Sequence, residues 1–305
     1  MGDWESDFPL VPGHEMAGRI LKIGNDVTKF KVGDYVLVGT MLDSCGFCNK
    51  CKSNLKQYCE NDATWTYNGR ERNPGDIEPT GNLSYGGYSC IIVSNEKFVY
   101  KLPTNIDIKN AAPILCAGIT VYWPLKQMDI KGKTIGIAGI GGIGHMGVKL
   151  ANKIGAKVIA LTTTKWKLSD SINNLGAIDS ILMTDKQKLE EYNGKLDCIL
   201  STIPQAHDLG PYINLLKFNG TLWIVGALFP FDDFDPGMLS EINGILRSSI
   251  IGGVKDTEEL INFCSKNNIQ PDVEIINAKD INGTYKKLLK SQVKYRFVID
   301  INSLY

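Results

Sequence analysis

The sequence has no excess of charge of either sign and no block of like charges. Its 305 residues include 33 basic and 33 acidic side chains, so the formal net charge is zero. Proteins that bind nucleic acid or anionic membranes usually carry a basic patch or a basic stretch. The composition therefore predicts neither a nucleic-acid partner nor a membrane partner. Internal repeats and low-complexity tracts are absent as well.

Long apolar runs are also missing. The longest, such as Thr221 to Phe231, fall far short of the roughly 20 residues that cross a bilayer. The first residues, MGDWESDF, are polar and acidic, unlike the basic and then apolar start of a secretory leader. We therefore expect a cytoplasmic protein. With 43% apolar residues, a chain of 305 residues can bury more than one core, so two domains are expected.

Four of the eight cysteines are concentrated in one polar stretch with the spacing C-x2-C-x2-C-x7-C. The polar residues between them cannot form a hydrophobic core, so the sulfurs are expected to bind a metal or to act in redox chemistry. A reducing compartment disfavours disulfides, a two-cysteine redox motif needs only two thiols, and iron–sulfur clusters usually have other spacings. Four thiolates favour one tetrahedral zinc ion in a closed structural site. The predicted ligands are Cys45, Cys48, Cys51 and Cys59.

A glycine-rich turn lies between a predicted strand and a predicted helix. Thr134 to Ala138 is an apolar run of strand length, apolar residues from Ile143 to Ile154 recur on one helical face, and Lys157 to Leu161 reads as the next strand. Glycines in such a turn let the backbone approach a pyrophosphate at the helix N-terminus. The alternative is a packing turn without a ligand. His145 is expected on the helix surface. The predicted dinucleotide-binding residues are Gly139, Gly141, Gly142, Ile143 and Gly144.

The end of the second strand of this unit predicts which dinucleotide is bound. NAD-binding units carry an acidic residue there to hold the ribose hydroxyls, whereas the first acid in this chain is Asp170, inside the next helix. Hydroxyl and ammonium groups instead suit the 2′-phosphate of NADP(H). The alternative is a polar strand end whose lysines, Lys165 and Lys167, point into water. The residues predicted to bind the phosphate are Thr162, Thr163, Thr164 and Lys167.

The rest of the sequence shows two patterns. Strand-like runs at Leu196 to Ile203, Gly220 to Ala227 and Ser248 to Val254 are separated by helix-length segments. This order predicts an α/β fold with a doubly wound parallel sheet. The chain before about Leu102 is richer in glycine and proline and its strands are short, so we expect a separate, mostly-β domain there. The strands predicted in that domain include Tyr35 to Val38 and Ser89 to Val93.

Several segments taken together resemble a known family. "PGHEMAGRILKIGNDVTKFKVGDYV" (12–36), the four-cysteine run, "LSYGGYS" (83–89), "APILCAGITVYWPL" (112–125) and the glycine turn follow in this order. The order is similar to that of zinc-containing alcohol dehydrogenases of the medium-chain type, and the chain most resembles their NADP-dependent, cinnamyl-alcohol-dehydrogenase-like branch. The resemblance implies a GroES-like mostly-β domain at residues 1–116, a Rossmann domain at 117–254 and a return to the first domain at 255–305.

The resemblance also implies a reaction and a second zinc site. The family transfers a hydride reversibly between NADP(H) and a primary alcohol or its aldehyde, and the substrate oxygen binds a catalytic zinc. The matching ligands are the His of the GHE motif and the Cys of the LCAG motif, with the adjacent Glu as an alternative ligand. In this chain they are His14, Cys116 and Glu15. We expect aldehyde reduction to be favoured, and the family implies a homodimer formed through the Rossmann domain.

One departure from the family pattern concerns the start of the chain. The resemblance begins almost at Met1, so we expect the segment with the family's first catalytic cysteine and its proton relay to be missing. The GroES-like domain would then be incomplete at its N-terminus, with an unpaired sheet edge. A second hypothesis is therefore a non-catalytic NADP(H)-binding protein stabilised by the structural zinc. Zinc content distinguishes the hypotheses, because the enzyme would hold two ions per chain and the binding protein one.

Overall fold

The chain forms two compact units in this computed structural model, which describes residues 6–226, 230–231 and 234–304. One unit combines Met1–Ile119 with Gly252–Tyr305, and the other is Thr120–Ile251. The boundaries predicted from the sequence lie after residues 116 and 254. The residue ranges predicted for the individual domains remain predictions.

Short strands dominate the first unit, and alternating strands and helices make up the second. In chain order the strands are β1 (Met16–Arg19), β2 (Tyr35–Val38), β3 (Met41–Ser44), β4 (Ala63–Trp65), β5 (Val99–Lys101), β6 (Thr134–Ala138), β7 (Lys157–Thr162), β8 (Asp179–Leu182), β9 (Leu196–Ser201), β10 (Leu216–Ile224), β11 (Ile245–Ser248), β12 (Val273–Asn277) and β13 (Arg296–Asp300). The helices are α1 (Asn49–Lys52), α2 (Ile108–Ala111), α3 (Ala117–Gln127), α4 (Gly144–Ile154), α5 (Lys165–Asp170), α6 (Lys186–Tyr192), α7 (Gly210–Ile213), α8 (Gly237–Glu241), α9 (Val254–Asn267) and α10 (Ile281–Leu289). Over the described residues, none of these helices has the length and apolar character needed to cross a membrane.

The first unit contains three small sheets. One is an antiparallel sheet in the order β1-β2-β5, with β2 in the centre. β3 pairs with β4 in antiparallel orientation, and β12 pairs with β13 in parallel. The core of this unit is shared by distant parts of the sequence. Its almost completely buried side chains come from strands, from the turn before Cys116 and from the C-terminal segment. The largest are Leu37, Phe98, Ile114, Leu115 and Tyr295.

Of the two strands predicted by name in this unit, one is confirmed and one is wrong. β2 has the predicted bounds and buries three of its four residues. The residues from Ser89 to Val93 form no strand, and Ile91 and Val93 are 70% and 88% exposed. β-branched residues favour a strand only where a neighbouring strand supplies hydrogen bonds and a surface for packing. No strand within the described residues pairs with this segment.

The second unit is a six-stranded parallel sheet in the order β11-β10-β9-β6-β7-β8. The chain runs from β6 to β8 in one direction and then returns to β9 on the other side of β6. Such a reversal leaves a crevice at the carboxyl ends of the two central strands, which is where ligands bind in sheets of this kind. The predicted doubly wound parallel sheet is confirmed. Its core cluster includes Ile159, Ile181, Ile199, Leu215 and Leu222.

The strand predictions in this unit differ from the structure mainly at their ends. β6 has the predicted bounds, while β7, β9 and β10 overlap the predicted runs. The strand predicted from Ser248 to Val254 is wrong, because β11 ends at Ser248 and α9 begins at Val254. Ile251 in the connection between them is 8% exposed. Ile251 is therefore buried without belonging to a strand. A run of apolar residues alone does not distinguish a buried connection from a buried strand.

Helix α4 follows the glycine turn, as predicted. It contacts β6 and β7, and it ends at Gly155, whose left-handed φ of 104° is typical of a glycine after a helix. The prediction that His145 lies on the helix surface is wrong. The residue is completely buried, and its Nδ1 lies 3.3 Å from the carbonyl oxygen of Gly141. The first turn of α4 is covered on several sides, so a polar residue there finds its partner in the backbone.

Candidate metal and cofactor sites

The four clustered cysteines form a compact site. Their sulfurs all lie within 4.8 Å of one another, and those of Cys45 and Cys51 are 3.9 Å apart. All four thiols are free, and a disulfide would need sulfurs about 2.05 Å apart. Tetrahedral zinc with Zn–S bonds of about 2.3 Å places sulfurs about 3.8 Å apart. Cys45, Cys48, Cys51 and Cys59 therefore have the spacing and the donor chemistry that fit a closed zinc site.

Hydrogen bonds to the sulfurs prepare this cluster to bind a cation. α1 begins inside the loop, so the N–H of Cys48 donates to Cys45 Sγ and the N–H of Cys51 donates to Cys48 Sγ, each at 3.4 Å. Burial alone raises the pKa of Cys45, but the Asn61 side chain and backbone donors bring this pKa down to about 6. Burial raises the pKa of Cys59 to about 12. The hydrogen bonds therefore favour the thiolate of Cys45, whereas burial favours the neutral thiol of Cys59, whose proton a bound cation would displace.

Asn54 joins the cysteine loop to the start of α9. Its amide nitrogen donates to Asp256 Oδ2 at 2.8 Å, and its Oδ1 accepts the N–H of Lys255 at 3.0 Å. Asn54 has a left-handed φ of 61°, and a Cβ on Gly253 would collide with its backbone oxygen. Glycine at position 253 permits this close approach. Asn54 and Asp256 are 202 positions apart, so no local sequence pattern predicts this contact.

The predicted catalytic residues also lie together. The donor atoms of His14, Glu15 and Cys116 are all within 4.8 Å of one another, and His14 Nε2 is 3.2 Å from Cys116 Sγ. Tetrahedral zinc would hold one nitrogen and one sulfur about 3.6 Å apart. The set combines an imidazole, a thiol and a carboxyl group, all of which zinc accepts. The three residues are partly exposed, as a site reached by a substrate requires.

Two motifs far apart in the sequence hold His14 in place. The N–H groups of residues 86–88 donate to the carbonyl oxygens of residues 11–13 at 2.7 to 2.9 Å. Gly13 has a left-handed φ of 100°, and a Cβ there would come 2.6 Å from the ring of Tyr88. Side chains at residues 86 and 87 would collide with the backbone of residues 12–13 and with Met16. The glycines of the PGHE and YGGY segments therefore serve this close pairing, which fixes the position of His14.

Cys116 reaches the site from a tight turn. Ala112–Leu115 form a 3-10 helix, and the N–H of Cys116 donates to the carbonyl oxygen of Pro113 at 3.4 Å. Ile114 and Leu115 are buried and anchor the turn, while α3 begins directly after Cys116. From its apolar neighbours alone, Cys116 would pass for a core residue. The structure instead leaves it partly exposed, with its sulfur directed to His14.

The glycine turn of the second unit fits a pyrophosphate. Gly139 has a left-handed φ of 84°, and a Cβ on Gly144 would collide with the carbonyl oxygen of Gly139, so α4 starts directly against the end of β6. A Cβ on Gly141 would meet nothing within 4 Å. This open space lies at the N-terminus of an 11-residue helix, where free N–H groups attract phosphate. Gly142 and Ile143 lie in the same turn and are partly exposed.

The residues predicted to bind the 2′-phosphate lie at the end of β7 and the start of α5. Thr162 is buried, Thr163 is exposed and Thr164 is partly buried. Lys167 is 8% exposed, and its Nζ lies 5.5 Å from the ring of Trp166. Burial lowers the pKa of Lys167, and no carboxylate among the described residues opposes this effect. An ammonium that is partly withdrawn from water is stabilised by a nearby negative charge, and a phosphate group would supply one.

Comparison with known proteins decides the family. The profile described as "Alcohol dehydrogenase GroES-like domain" matches residues 1–104, and "Zinc-binding dehydrogenase" matches residues 142–266. A probable zinc-type alcohol dehydrogenase-like protein of Acanthamoeba polyphaga mimivirus is 49% identical over 306 residues, which cover 99% of this chain and 72% of the relative. This chain belongs to the zinc-containing medium-chain alcohol dehydrogenase family. Within the family it is similar to probable cinnamyl alcohol dehydrogenase 9 of Arabidopsis thaliana, with 42% identity over 99% of this chain and 83% of the relative.

Solved structures of two relatives share the fold of this dehydrogenase. A cinnamyl alcohol dehydrogenase of Sorghum bicolor has a TM-score of 0.91 and 32% identity, covering 97% of this chain and 83% of its own. A cinnamyl alcohol dehydrogenase of Helicobacter pylori, complexed with NADP(H), has a TM-score of 0.89 and 36% identity, covering 99% and 85%. The predicted combination of a GroES-like domain and a Rossmann domain is confirmed. By its family the chain is an alcohol or aldehyde oxidoreductase.

In this dehydrogenase, Glu15 is held by a residue that the sequence analysis missed. Arg296 in β13 forms an ion pair and a hydrogen bond with Glu15, 281 positions away in the sequence. Burial alone raises the pKa of Glu15, but the charge and the hydrogen bond of Arg296 outweigh burial, so this pKa lies below its usual value. No motif singled out Arg296. The one hint in the sequence was that this arginine directly precedes three apolar residues, in the segment RFVI.

Tyrosines near the dehydrogenase site were also missed. The ring of Tyr67 stacks on His14, with centroids 5.8 Å apart and an interplanar angle of 23°. Burial, together with the hydrogen bond to Tyr285, raises the pKa of Tyr88. Burial lowers the pKa of His14, although Glu15 partly opposes this effect. At neutral pH the imidazole is therefore neutral, which is the form that binds a metal ion.

Proposed function

We propose that this dehydrogenase uses zinc and NADP(H) to interconvert primary alcohols and aldehydes, and that it favours aldehyde reduction. The observation that carries the proposal is the gathering of His14, Glu15 and Cys116 within 4.8 Å, in a group separate from the four cysteines. The names of several relatives, cinnamyl alcohol dehydrogenases, support an alcohol or aldehyde substrate. One solved relative is a complex with NADP(H), which supports that cofactor.

The two clusters suit two zinc ions with different roles. The four-cysteine cluster would hold a structural ion, because four protein ligands leave no open position. His14 and Cys116, with Glu15 as an alternative ligand, would hold a catalytic ion and leave room for the substrate oxygen. When bound, this ion supplies Lewis-acid polarisation of that oxygen, and the nicotinamide donates or accepts the hydride.

The side chains of the second cluster prepare it for this chemistry. Burial keeps the imidazole of His14 neutral, so its Nε2 lone pair is available as a ligand. Arg296 holds the carboxylate of Glu15 in an ion pair, which weakens the competition of Glu15 with Cys116 for a cation. Tyr88 keeps its hydroxyl proton, because burial and Tyr285 raise its pKa. The cluster thus offers one neutral nitrogen and one sulfur, with a paired carboxylate beside them.

The preference for NADP(H) rests on Lys167. The Lys167 side chain is largely buried, burial lowers its pKa, and no carboxylate among the described residues offsets this effect. The segment before it carries hydroxyl groups instead of an acid. Fluorescence titration should therefore show tighter binding of NADPH than of NADH. Replacing Thr163→Asp together with Lys167→Ala should weaken this preference, whereas Lys153→Ala, which removes an exposed lysine of the same unit, should leave it unchanged. Equal affinities in the parent protein would contradict the cofactor assignment.

The proposal includes a homodimer formed through the second unit. β11 is an edge strand of the six-stranded sheet, and Ile245 and Leu246 on it are 42% and 39% exposed. An exposed edge with apolar side chains readily pairs with another chain. Light scattering should give twice the chain mass of 33.6 kDa, and Leu246→Lys should shift the population to monomers. A monomeric parent protein would contradict this part of the proposal.

Zinc content and one substitution test the catalytic site. The purified protein should hold two zinc ions per chain and should reduce benzaldehyde with NADPH faster than it oxidises benzyl alcohol with NADP+. His14→Ala should abolish both reactions and retain one zinc, whereas the matched variant His207→Ala should keep both ions and the activity. One zinc in the parent protein would favour the non-catalytic NADP(H)-binding protein. An undiminished rate in His14→Ala would remove the assigned ligand.

A further inference from the structure

We propose that Tyr67 is a positioning residue for His14: its ring fixes the plane of the imidazole so that Nε2 faces Cys116 Sγ. The inference rests on the proposed function, in which His14 is a metal ligand. The two rings are stacked at 5.8 Å and 23°, and Nε2 lies 3.2 Å from the sulfur.

The orientation of the imidazole gives the stack its importance. A metal-binding histidine usually donates its second N–H to a carboxylate, a carbonyl group or a water, and this bond sets the orientation of the ring. The χ2 torsion of histidine is otherwise broad. Here the imidazole of His14 is bounded by Cys116 on its Nε2 side and by the face of Tyr67. The aromatic contact therefore restrains the plane of the ring in addition to any hydrogen bond of Nδ1.

The turn that carries this tyrosine is itself firmly held. The N–H of Thr66 donates to the carbonyl oxygen of Thr40 at 3.0 Å. Ser84 bridges the turn, because its Oγ accepts the N–H of Gly69 at 3.1 Å and donates to the carbonyl oxygen of Trp65 at 2.8 Å. Backbone groups on both sides of residue 67 are thus fixed, and the ring projects from a rigid base.

The same turn also holds the segment that leads to His14. Asn68 Oδ1 accepts the N–H of Asp7 at 2.8 Å, next to the stack of Tyr67 on His14. Arg70 and Asp7 are also 4.0 Å apart, but this pair is exposed and contributes little. Two successive residues of one turn therefore contact residues 7 and 14 of one segment. The segment is restrained at both of these points.

The turn also continues the hairpin that flanks the four-cysteine cluster. β3 ends at Ser44, directly before Cys45, and β4 begins at Ala63, shortly after Cys59; Ser44 and Ala63 are paired in the ladder. The cysteine loop closes one end of this hairpin, and Tyr67 lies just past the other end. An ion in the cluster therefore stabilises the base from which Tyr67 orients His14, so the structural site supports the reaction through this residue.

The test compares Tyr67→Phe, which keeps the aromatic face, with Tyr67→Leu, which removes it. Tyr35→Leu is the matched control, because Tyr35 belongs to the same unit and is 55% exposed. Carbon-13 relaxation of the His14 imidazole is measured in protein loaded with one zinc per chain. The order parameter of the ring should be the same in the parent, Tyr67→Phe and Tyr35→Leu, and should be clearly lower in Tyr67→Leu. A nuclear Overhauser contact between the two rings tests the stack in the unsubstituted protein.

Zinc binding and kinetics give a second readout. The affinity for the second zinc and kcat should each fall about 10-fold in Tyr67→Leu and stay within about twofold in Tyr67→Phe, with an unchanged KM for NADPH in both. Absence of the Overhauser contact, an ordered imidazole in Tyr67→Leu, or equal losses in the two variants would overturn the inference. If the parent protein binds one zinc, the proposed function fails, while the Overhauser and relaxation results still decide whether Tyr67 orients His14.

Discussion

The four-cysteine cluster and the His14 cluster lie in the same unit, yet they are built in opposite ways. The first takes all four of its cysteines from one loop, Cys45 to Cys59. The second joins His14 to Cys116, which is 102 positions away, and depends on Arg296, which is 281 positions from Glu15. The first set of ligands is contained in one short stretch of sequence. The second set exists only after strands, turns and the C-terminal segment have packed together.

The entropy of the chain explains what this difference means. The cost of closing a loop rises with the number of residues in it, so a short loop can gather its ligands at a lower cost than distant segments can. Binding of a structural ion then contributes directly to folding. The His14 cluster depends on packing that is already complete, and it contains a partly buried charge pair. We therefore expect the first cluster to contribute stability and the second to depend on it.

Loss of one ligand from the cysteine loop should have the largest effect. Cys51→Ser leaves three thiolates, and structural zinc binds with about 10–16 kcal/mol, which is comparable to the whole stability of a domain. The melting temperature should fall by more than about 10 °C, with loss of one zinc per chain. Calorimetry and metal analysis measure both. Cys90→Ser changes an exposed cysteine outside the cluster and is the control; an unchanged melting temperature in Cys51→Ser would remove the structural role.

Breaking the charge pair of the second cluster should have the next largest effect. Arg296→Met leaves the carboxylate of Glu15, which is 16% exposed, without its partner. Removing one member of such a pair costs roughly 3 kcal/mol, measured by urea unfolding. Adding Glu15→Gln should restore most of the loss, because the unpaired charge is then gone as well. Arg70→Met, which breaks an exposed pair with Asp7, should cost less than about 1 kcal/mol. A similar loss in Arg296→Met and Arg70→Met would show that the partly buried Glu15–Arg296 pair contributes no more stability than an exposed pair.

Substitution of Asn54 tests how independent the cysteine loop is. Asn54→Gly keeps the left-handed backbone at φ 61° and removes the two hydrogen bonds to the start of α9. We expect a loss of about 1–2 kcal/mol in unfolding free energy with unchanged zinc content. Faster hydrogen exchange at the first turn of α9 should accompany this loss. Asn243→Gly, a left-handed asparagine of the second unit, is the matched control. If Asn54→Gly released zinc, metal binding by the cysteine loop would depend on its contact with α9 and not on the spacing of the cysteines alone.

The smallest expected effect is a pH dependence that arises from His14. The folded state lowers the pKa of His14 below 6.5, mainly through burial. Below pH 6.5 the unfolded chain therefore binds a proton that the folded chain does not, and the free energy of unfolding decreases as the pH falls. In protein loaded with one zinc per chain, the parent should lose stability relative to His14→Gln between pH 7 and pH 5. Parallel curves for the two proteins would contradict the buried, neutral imidazole.

Sequence patterns predicted those structural elements that are formed by residues close together in the chain. The spacing of the cysteines indicated their gathering, and the periodicity from Thr134 to Thr162 indicated β6, the glycine turn, α4 and β7, because helix and strand periods and turn glycines are short-range properties. His14, Glu15 and Cys116 were predicted only through the resemblance of whole motifs to a family. Their individual neighbours in the sequence do not distinguish them from ordinary loop and core residues.

The failures have a common physical origin. Ser89 to Val93 has the composition of a strand but no described partner strand, Ile251 is buried in the connection between β11 and α9, and His145 is completely buried at the start of α4. In each case the polarity of the residues was clear from the sequence. The sequence pattern did not indicate which other segment of the chain would pack against them.

Three properties of this protein can be read from its amino-acid sequence alone: the spacing of the clustered cysteines, the β-α-β unit with its glycine turn and the division into two kinds of domain. These properties follow from residues that are close together along the chain. Folding of the whole unit is needed before Arg296 pairs with Glu15, Tyr67 faces His14 and Asn54 holds the start of α9. Such contacts join distant residues, and their strength depends on burial and packing that arise only when the whole unit has folded.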